Sequence, residues 1–318
     1  MGRPESRASR RPDALEQRSG ESPLPGTPPP PPQPSRLQAA SPACEVRWLG
    51  RVPYAEALAL QEDLVRRRAA DAIPDQLLLL EHPHVVTLGR AARLENVLVD
   101  RARLRDLGID LFETGRGGDV TYHGPGQLVA YPILNLAPDR CDLHRYVRDL
   151  ERVVLAVLAE HGIEGHVVPG RTGVWVRRAG LPEAKVGAIG VRVARWITSH
   201  GIALTVGTDL RYFGYIVPCG LAGSAVTSMA ELLGAAGRSA PEVREVGERF
   251  GRHLGEIFGR RLQVEPRGSA LSPGVSGHSG ADSQEAAGPA PSPREWCAAR
   301  EAASHGTAPQ RMRPEPPT

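Results

Sequence analysis

Between Glu45 and Glu265 apolar residues recur at two spacings, and each spacing predicts its own kind of element. Helical spacing runs from Tyr54 to Ala70, with Ala57, Leu58, Gln61, Leu64 and Val65 on one stripe. It returns from Leu143 to His161, where Val147, Leu150, Val154, Val157 and Leu158 form an amphipathic face. A short helix is predicted over Asp100 to Leu107. A longer one, ending near Phe258, is predicted to open on the capping-box signature "SAPE", Ser239 to Glu242. Short apolar runs predict strands at Glu45–Leu49, Gln76–Glu81, within His82–Arg90, at Leu128–Leu134, Gly173–Arg177, Val186–Val193, Trp196–Val206 and Arg261–Glu265. Glu113 to Gln127 holds too many glycines for a helix, with at most a short strand at Thr121-Tyr122. The strands fall in hairpin-like groups and do not alternate regularly with helices. The class predicted is therefore α+β, a mixed or antiparallel sheet flanked by helices, in one domain. No internal repeat is visible.

The pattern fails at both ends. Residues 1–43 are rich in Pro, Ser, Arg and Gln, with seven prolines from Pro25 to Pro34, a composition that favours polyproline II and builds no core. Residues 269–318 are Ser, Gly, Ala, Pro and charge, with too little apolar surface to offset ordering entropy. Two disordered tails are predicted around a catalytic domain spanning 44–268.

Charge narrows the partners. A formal net charge of +3 without a basic block, and only 4% aromatic residues, argue against a nucleic-acid surface and suit acidic protein partners. No apolar run reaches membrane-spanning length, and the N-terminus lacks the apolar segment of a secretory signal. Cys44, Cys141, Cys219 and Cys297 are scattered, which predicts free thiols in a reducing, cytoplasmic compartment. His82, His84, His144 and His200 are not spaced as metal ligands, so neither a metal nor another cofactor is expected.

Three stretches can carry chemistry. Lys185, in "GLPEAKVGAIG", is the only lysine; the other 38 basic residues are arginine. Arginine never gives up its proton at working pH, whereas an amine can, so a site that needs a base that later acts as an acid accepts lysine and refuses arginine. A solvated loop lysine is the competing reading. Cys219, in "YIVPCGLAGSAVTS", stands on a predicted tight turn between Pro218 and Gly220, where a nucleophile is accessible. Gly220 and Gly223 offer backbone N–H groups to a developing oxyanion. An arbitrary cysteine is more often a small buried hydrophobe, the reading retained for Cys141. The third stretch is "RGGDVTYHGPGQ", Arg116 to Gln127. Its glycines let a ligand approach backbone closely, and His123 is placed to bond a substrate carbonyl, although a lone histidine is more often structural. It lacks the GK[ST] ending of a nucleotide phosphate loop. "TSHGIAL", Thr198 to Leu204, reads as a strand with a glycine where something approaches.

At these residues the chain resembles the lipoyl (octanoyl) transferases of protein lipoylation. The resemblance rests on "LLEHPHVVTLGR", "RGGDVTYHGPGQLVAYPILNL", "GVWV", "KVGAIGVRVARWITSHGIALTV" and "YFGYIVPCG", in that order and spacing. It implies the fold of the biotin/lipoate protein ligases. It implies that Cys219 takes the octanoyl group from octanoyl-acyl carrier protein as a thioester. From there the group passes to a lysine of a lipoyl domain, in 2-oxoacid dehydrogenase complexes or in the glycine cleavage H protein. Lys185 matches the lysine that activates the thiol. Arg116, Gly117, Gly118, Asp119, Val120, Thr121, Tyr122 and His123 match the acyl-binding loop. Ala188, Ile189 and Gly190, with Gly201, Ile202 and Ala203, match two further substrate-contacting segments. Gly187 stands where the family often has a second alanine, which implies a looser turn.

Three other functions fit parts of the pattern, the nearest being amidotransferase relatives, which also use a cysteine but are disfavoured because "VPCG" lies where the octanoyl transferases carry their nucleophile. An ATP-dependent lipoate or biotin ligase would use the lysine for an adenylate and dispense with Cys219. A non-catalytic acyl-binding module would dispense with both residues.

Overall fold

In the computed structural model the described residues are 41–138, 140–220 and 225–264, with the side chain of Cys219 outside the description. All fall in the first of the chain's two units, Met1–Ser269; the second, Ala270–Thr318, lies outside the described residues, as do residues 1–40. The expected Pro-rich and C-terminal tails are therefore largely beyond what is described.

Chain order is β1 (Ala43–Arg51), α1 (Tyr54–Ala69), β2 (Asp75–Glu81), β3 (Val85–Leu88), α2 (Arg101–Asp106), β4 (Asp110–Glu113), β5 (Val120–His123), β6 (Gln127–Ile133) and α3 (Leu143–Glu160). There follow β7 (Gly165–Val168), β8 (Arg171–Arg178), β9 (Leu181–Ala194), β10 (Ile197–Thr205), β11 (Ala225–Val226), α4 (Met229–Gly234), α5 (Val243–Phe258) and β12 (Arg261–Val264). The large sheet runs β12-β1-β2-β6-β10-β9-β8-β7, with β11 added to β9 off that path. The β12–β1, β1–β2 and β11–β9 pairs are parallel and the others antiparallel, so the sheet is mixed, as the pattern predicts. A second sheet, β4-β3-β5, is also mixed.

Burial on both faces explains the apolar run in β2. Leu77 and Leu79 join the core under α3 and α5, with Leu150, Val154, Val157, Phe250 and Leu254. Leu78 and Leu80 face the other way, onto Ala57 and Leu64 of α1. A third cluster, Val86, Leu88, Leu104, Val120, Tyr122 and Ile216, fills the small sheet.

Three helices start on a side-chain cap, while α1, which follows Pro53, and α5 do not. Asp100 caps α2 through Arg103 N at 2.7 Å, Asp142 caps α3 through Arg145 N at 3.0 Å, and Ser228 caps α4 through Glu231 N at 3.2 Å. The capping box expected at Ser239 does not form. Glu242 itself is the cap residue of α5, and its side chain makes no capping bond. A cap at Ser239 would make Ala240 helical just before Pro241, where the proline ring disfavours that conformation. Trp196 also departs from its expected strand: Arg195 and Trp196, at φ 49° and 63°, form the two-residue turn that joins β9 to β10.

Asp75, at the start of β2, ties distant segments together. It is 2% exposed, and its carboxylate accepts from Arg68 Nε at 2.7 Å, Arg260 Nε at 2.7 Å and Asn135 N at 2.9 Å. Removing one partner of a buried ion pair strands the other. Asp75→Asn is expected to cost about 3 kcal/mol in urea unfolding. Asp63→Asn, which breaks exposed pairs to Arg66 and Arg67, should cost under about 1 kcal/mol. Equal costs would refute this role for Asp75.

Candidate acyl-transfer site

The site forms where the small sheet meets the middle of the large one. A cavity of about 220 Å³ opens there. Its walls include Arg116, Gly118, Asp119, Val120, Thr121 and His123 from the glycine-rich stretch, and Ala188, Ile189 and Gly190 from β9. Gly201, Ile202 and Ala203 of β10 and Lys185 complete the group of sequence-derived candidates on its lining. Gly117 and Tyr122 do not line it. Gly117 donates its N–H to Val191 O at 2.8 Å. Tyr122 alternates to the opposite side of β5 from Thr121 and His123, where its hydroxyl meets His84 Nδ1 at 2.7 Å within the third core cluster.

Arg116 sets the shape of the loop. The guanidinium is buried and donates to Thr87 O at 2.7 Å, to Thr87 Oγ1 at 2.9 Å from the same nitrogen, and to Gly117 O at 3.0 Å. The loop is thus anchored on β3 and laid across β9. Gly190 answers this crowding: a Cβ there would stand 3.1 Å from both Arg116 Cδ and Gly117 O. Gly201, paired with Gly190 across β9 and β10, answers a different one, since its Cβ would run into Ala130 O and come 2.7 Å from Pro132 Cδ.

Residues that the sequence did not mark as ligand contacts complete the wall: Tyr54, Tyr131 and His200, with Gly170, Arg171 and Thr172 toward solvent. Beside them His82 donates Nδ1–H to Val52 O at 2.7 Å and accepts from the Tyr131 hydroxyl at 2.8 Å through Nε2. His123 Nδ1 lies 2.7 Å from Gln127 Oε1, while Gln127 Nε2 donates to Tyr122 O. The amide oxygen therefore faces the ring, and Nδ1 carries the imidazole's single proton. Burial pushes His123 down to about 3, reinforced by His82. Burial likewise lowers His82 to about 4, and His200 to about 4 with help from Arg116 and Arg192. In this tautomer neutral His123 presents an acceptor at Nε2.

Lys185 lies inside β9, not at a strand end, and Gly187 lies in the same strand, not in a turn. Lys185 is 8% exposed, with Nζ 4.8 Å from the centre of the buried Trp175 ring. Gly173 packs beside it, and both its φ of 113° and the β9 backbone require glycine there: a Cβ would meet Gly187 O at 2.5 Å and touch Lys185 Cε at 3.4 Å. The β9 backbone beside Lys185 is fixed by β11, with Val226 opposite Lys185 and Thr227 N donating to Lys185 O at 3.0 Å.

Cys219 sits in a single 3₁₀ turn, Pro218–Gly220. The Gly220 N–H, expected to serve an oxyanion, donates to Val217 O at 3.1 Å. Gly223 is outside the described residues. A small cavity of about 20 Å³ has both Lys185 and Pro218 on its wall. It shares Thr121, Ala188 and Ala203 with the larger one. The turn bearing Cys219 and the strand bearing Lys185 therefore border one space.

The family model for the lipoyl protein ligase A/B catalytic domain matches residues 53–255. The chain belongs to that family. Its relatives include an octanoyltransferase of Solibacter usitatus, 54% identical over 215 residues, which cover 68% of this chain and 93% of that protein. An octanoyltransferase of Chloroflexus aurantiacus is 46% identical over 228 residues, covering 71% and 97%. Among solved structures, a bipartite lipoate protein ligase from Thermoplasma acidophilum aligns with a TM-score of 0.55 at 18% identity, over 71% of this chain and 88% of that one. A lipoate-protein ligase A bound with ATP gives 0.54 at 17% identity, over 71% and 90%. These two likenesses concern the fold, and they agree with the mixed sheet flanked by helices.

The three neutral imidazoles make a pH signature. Their folded values, about 3 to 4, lie below the ordinary 6.5, so in that interval the unfolded chain binds protons that the folded one refuses. Stability is full above about pH 6.5 and falls as pH drops toward 4, each histidine adding about 1.4 kcal/mol per pH unit. Urea unfolding between pH 6 and 5 should show this slope, and His82→Gln should flatten it by about one histidine's share. A slope unchanged in that variant would contradict the assignment.

Proposed function

We propose that this chain is an octanoyltransferase with a Cys219–Lys185 pair, and that its catalytic domain spans 44–268. Octanoyl-acyl carrier protein is the donor. Lipoyl domains of 2-oxoacid dehydrogenase complexes and the glycine cleavage H protein are the acceptors, and the setting is the cytoplasm. One observation carries the reading: the buried lysine of β9 and the turn that bears Cys219 border a common space, which shares Thr121, Lys185, Ala188 and Ala203 with the wall of the glycine-rich cavity. Relatives named octanoyltransferase support the same chemistry. No described helix is long and apolar enough to cross a membrane.

The reaction has two balanced halves. A cysteine thiol near neutral pH is only a few per cent thiolate, with an ordinary pKa of about 8.5. Lys185 takes the Sγ proton as the sulfur attacks the thioester carbonyl of the donor. The carbon–sulfur bond to the carrier breaks, and the departing thiolate receives that proton. Thioester becomes thioester, so loading is nearly thermoneutral and consumes no ATP. In the second half the acceptor lysine attacks as a neutral amine. Lys185 accepts its proton, Cys219 leaves as thiolate and is reprotonated, and an amide remains. Amide formation from a thioester runs downhill and gives the cycle its direction.

The rest of the site serves the acyl chain. Ala188, Ile189, Ile202 and Ala203 offer small and aliphatic surface, and Gly190 and Gly201 allow close backbone approach. Arg116 lines the cavity and holds the loop through its bonds to Thr87 and Gly117. The ATP-dependent ligase remains the competing reading, because the same fold supports it.

Intact mass after mixing with octanoyl-acyl carrier protein should show one octanoyl adduct, mapped to Cys219 and discharged by a lipoyl domain without ATP. Cys219→Ala should abolish it. Lys185→Ala and Lys185→Arg should both slow loading by about 100-fold or more, because an arginine cannot accept the thiol proton. Transfer retained in Cys219→Ala, or dependent on ATP, would favour the ligase.

A further inference from the structure

The turn that bears Cys219 is clasped from outside the cavity. Val97 bridges Ile216 in antiparallel fashion, Leu98 N donates to Tyr215 O at 2.9 Å, and Val217 N donates to Asn96 O at 2.8 Å. Residues 96–98 thus pair with 215–217, and the pairing ends at the residue before Pro218. From the same backbone position the Asn96 side chain reaches the glycine-rich loop, where Nδ2 donates to Asp119 Oδ2 at 2.6 Å. The other oxygen of Asp119 accepts from Arg93 N at 3.1 Å and Val120 N at 2.7 Å. Gly220 closes the arrangement. It holds φ 65°, a left-handed conformation that favours glycine. A Cβ there would collide with Asp119 Oδ2 and stand 3.3 Å from Asn96 Nδ2.

We propose that Asn96 and Asp119 are positioning residues for the Cys219 turn. Asn96 holds the turn's entry through its carbonyl and Asp119 through its amide. The Asp119 carboxylate in turn abuts the turn's exit at Gly220. A charge-assisted bond of this length is directional, so the two ends of the turn are referred to the loop that lines the cavity. Asp119 acts here through other residues, a different part from the acyl contact that the family resemblance implies. The inference rests on the reading of Cys219 as the nucleophile, and it states how the main chain at 219 is set relative to Lys185.

Three measurements on the full-length protein test it: steady-state octanoyl transfer, urea unfolding, and peptide-resolved alkylation by iodoacetamide. Exposed Cys141 serves as the internal reference for alkylation. Asn96→Ala and Asp119→Asn are each expected to lower kcat by about ten-fold or more with KM within about two-fold, since small misplacements of reacting groups act on the rate. Alkylation of Cys219 should slow several-fold while that of Cys141 is unchanged. The exchange Asn96→Asp with Asp119→Asn rebuilds the bond with donor and acceptor reversed, and should recover most of both losses. Asn96→Ser, which keeps the backbone and loses the reach to Asp119, gives the same split if Asn96→Ala folds poorly. Folded single variants with wild-type kcat and wild-type Cys219 alkylation would overturn the proposal. So would a folded exchange variant that recovers neither. Failure of the transfer reading would appear separately, as activity retained in Cys219→Ala, while the alkylation rates would still report on the turn.

Discussion

A buried guanidinium must be bonded or it destabilises the fold, and the site is built around that constraint. Arg116 meets it on Thr87 of the small sheet and on its own loop at Gly117. In doing so it lays a glycine-rich loop against the large sheet. The loop needs a bare strand beneath it, which is why Gly190 faces Arg116 and why Gly89 would crowd Gly118 and Arg116 if it bore a Cβ. The cavity is the space left between this loop and the paired strands β9 and β10. Where the loop crosses β9 the wall is backbone and small side chains, because Arg116 and Gly117 leave no room for a Cβ at Gly190.

Much of this frame was legible in the sequence. The leucine run of β2 and the amphipathic stripe of α3 report burial directly, since each depends on local spacing alone. The lone lysine among arginines marked Lys185 by chemistry, and the residues around Cys219 marked a tight turn, which takes 3₁₀ form. Other features depend on contacts that spacing does not encode. Tyr54, Tyr131 and His200 come from α1, β6 and β10, and only the sheet order brings them to one wall. Lys185 reads as the edge of a strand because Leu181 to Ala184 contain a proline and a glutamate, yet β9 begins at Leu181 and pairs with β8 there. The strands β4, β7 and β11 and the helix α4 are short and were not foreseen; their stability comes from neighbours rather than pattern. Asn96 gives no signal in sequence at all. Its part is defined by Val217 and Asp119, which lie far along the chain.

The family resemblance and the geometry contribute different things. Membership in the lipoyl protein ligase A/B catalytic domain family supplies the scaffold and a class of acyl chemistry. The proposed choice within it rests on the residues of this chain. A ligase has no need of a thiol turn bordering the space of a buried amine, whereas a transferase that passes its cargo through a thioester requires one. The histidines near the cavity, pushed down to about 3 and 4 by burial, hold protons poorly near neutrality.

The most direct measurement is a crystal structure of the protein carrying an octanoyl group. The account predicts a thioester on Cys219. Its chain should lie between the Arg116–Thr121 loop and Ala188–Gly190, and Lys185 Nζ should stand within hydrogen-bond reach, ~3 Å, of the sulfur. An acyl chain bound outside this cavity, or Lys185 on a separate wall more than about twice that distance away, would contradict it.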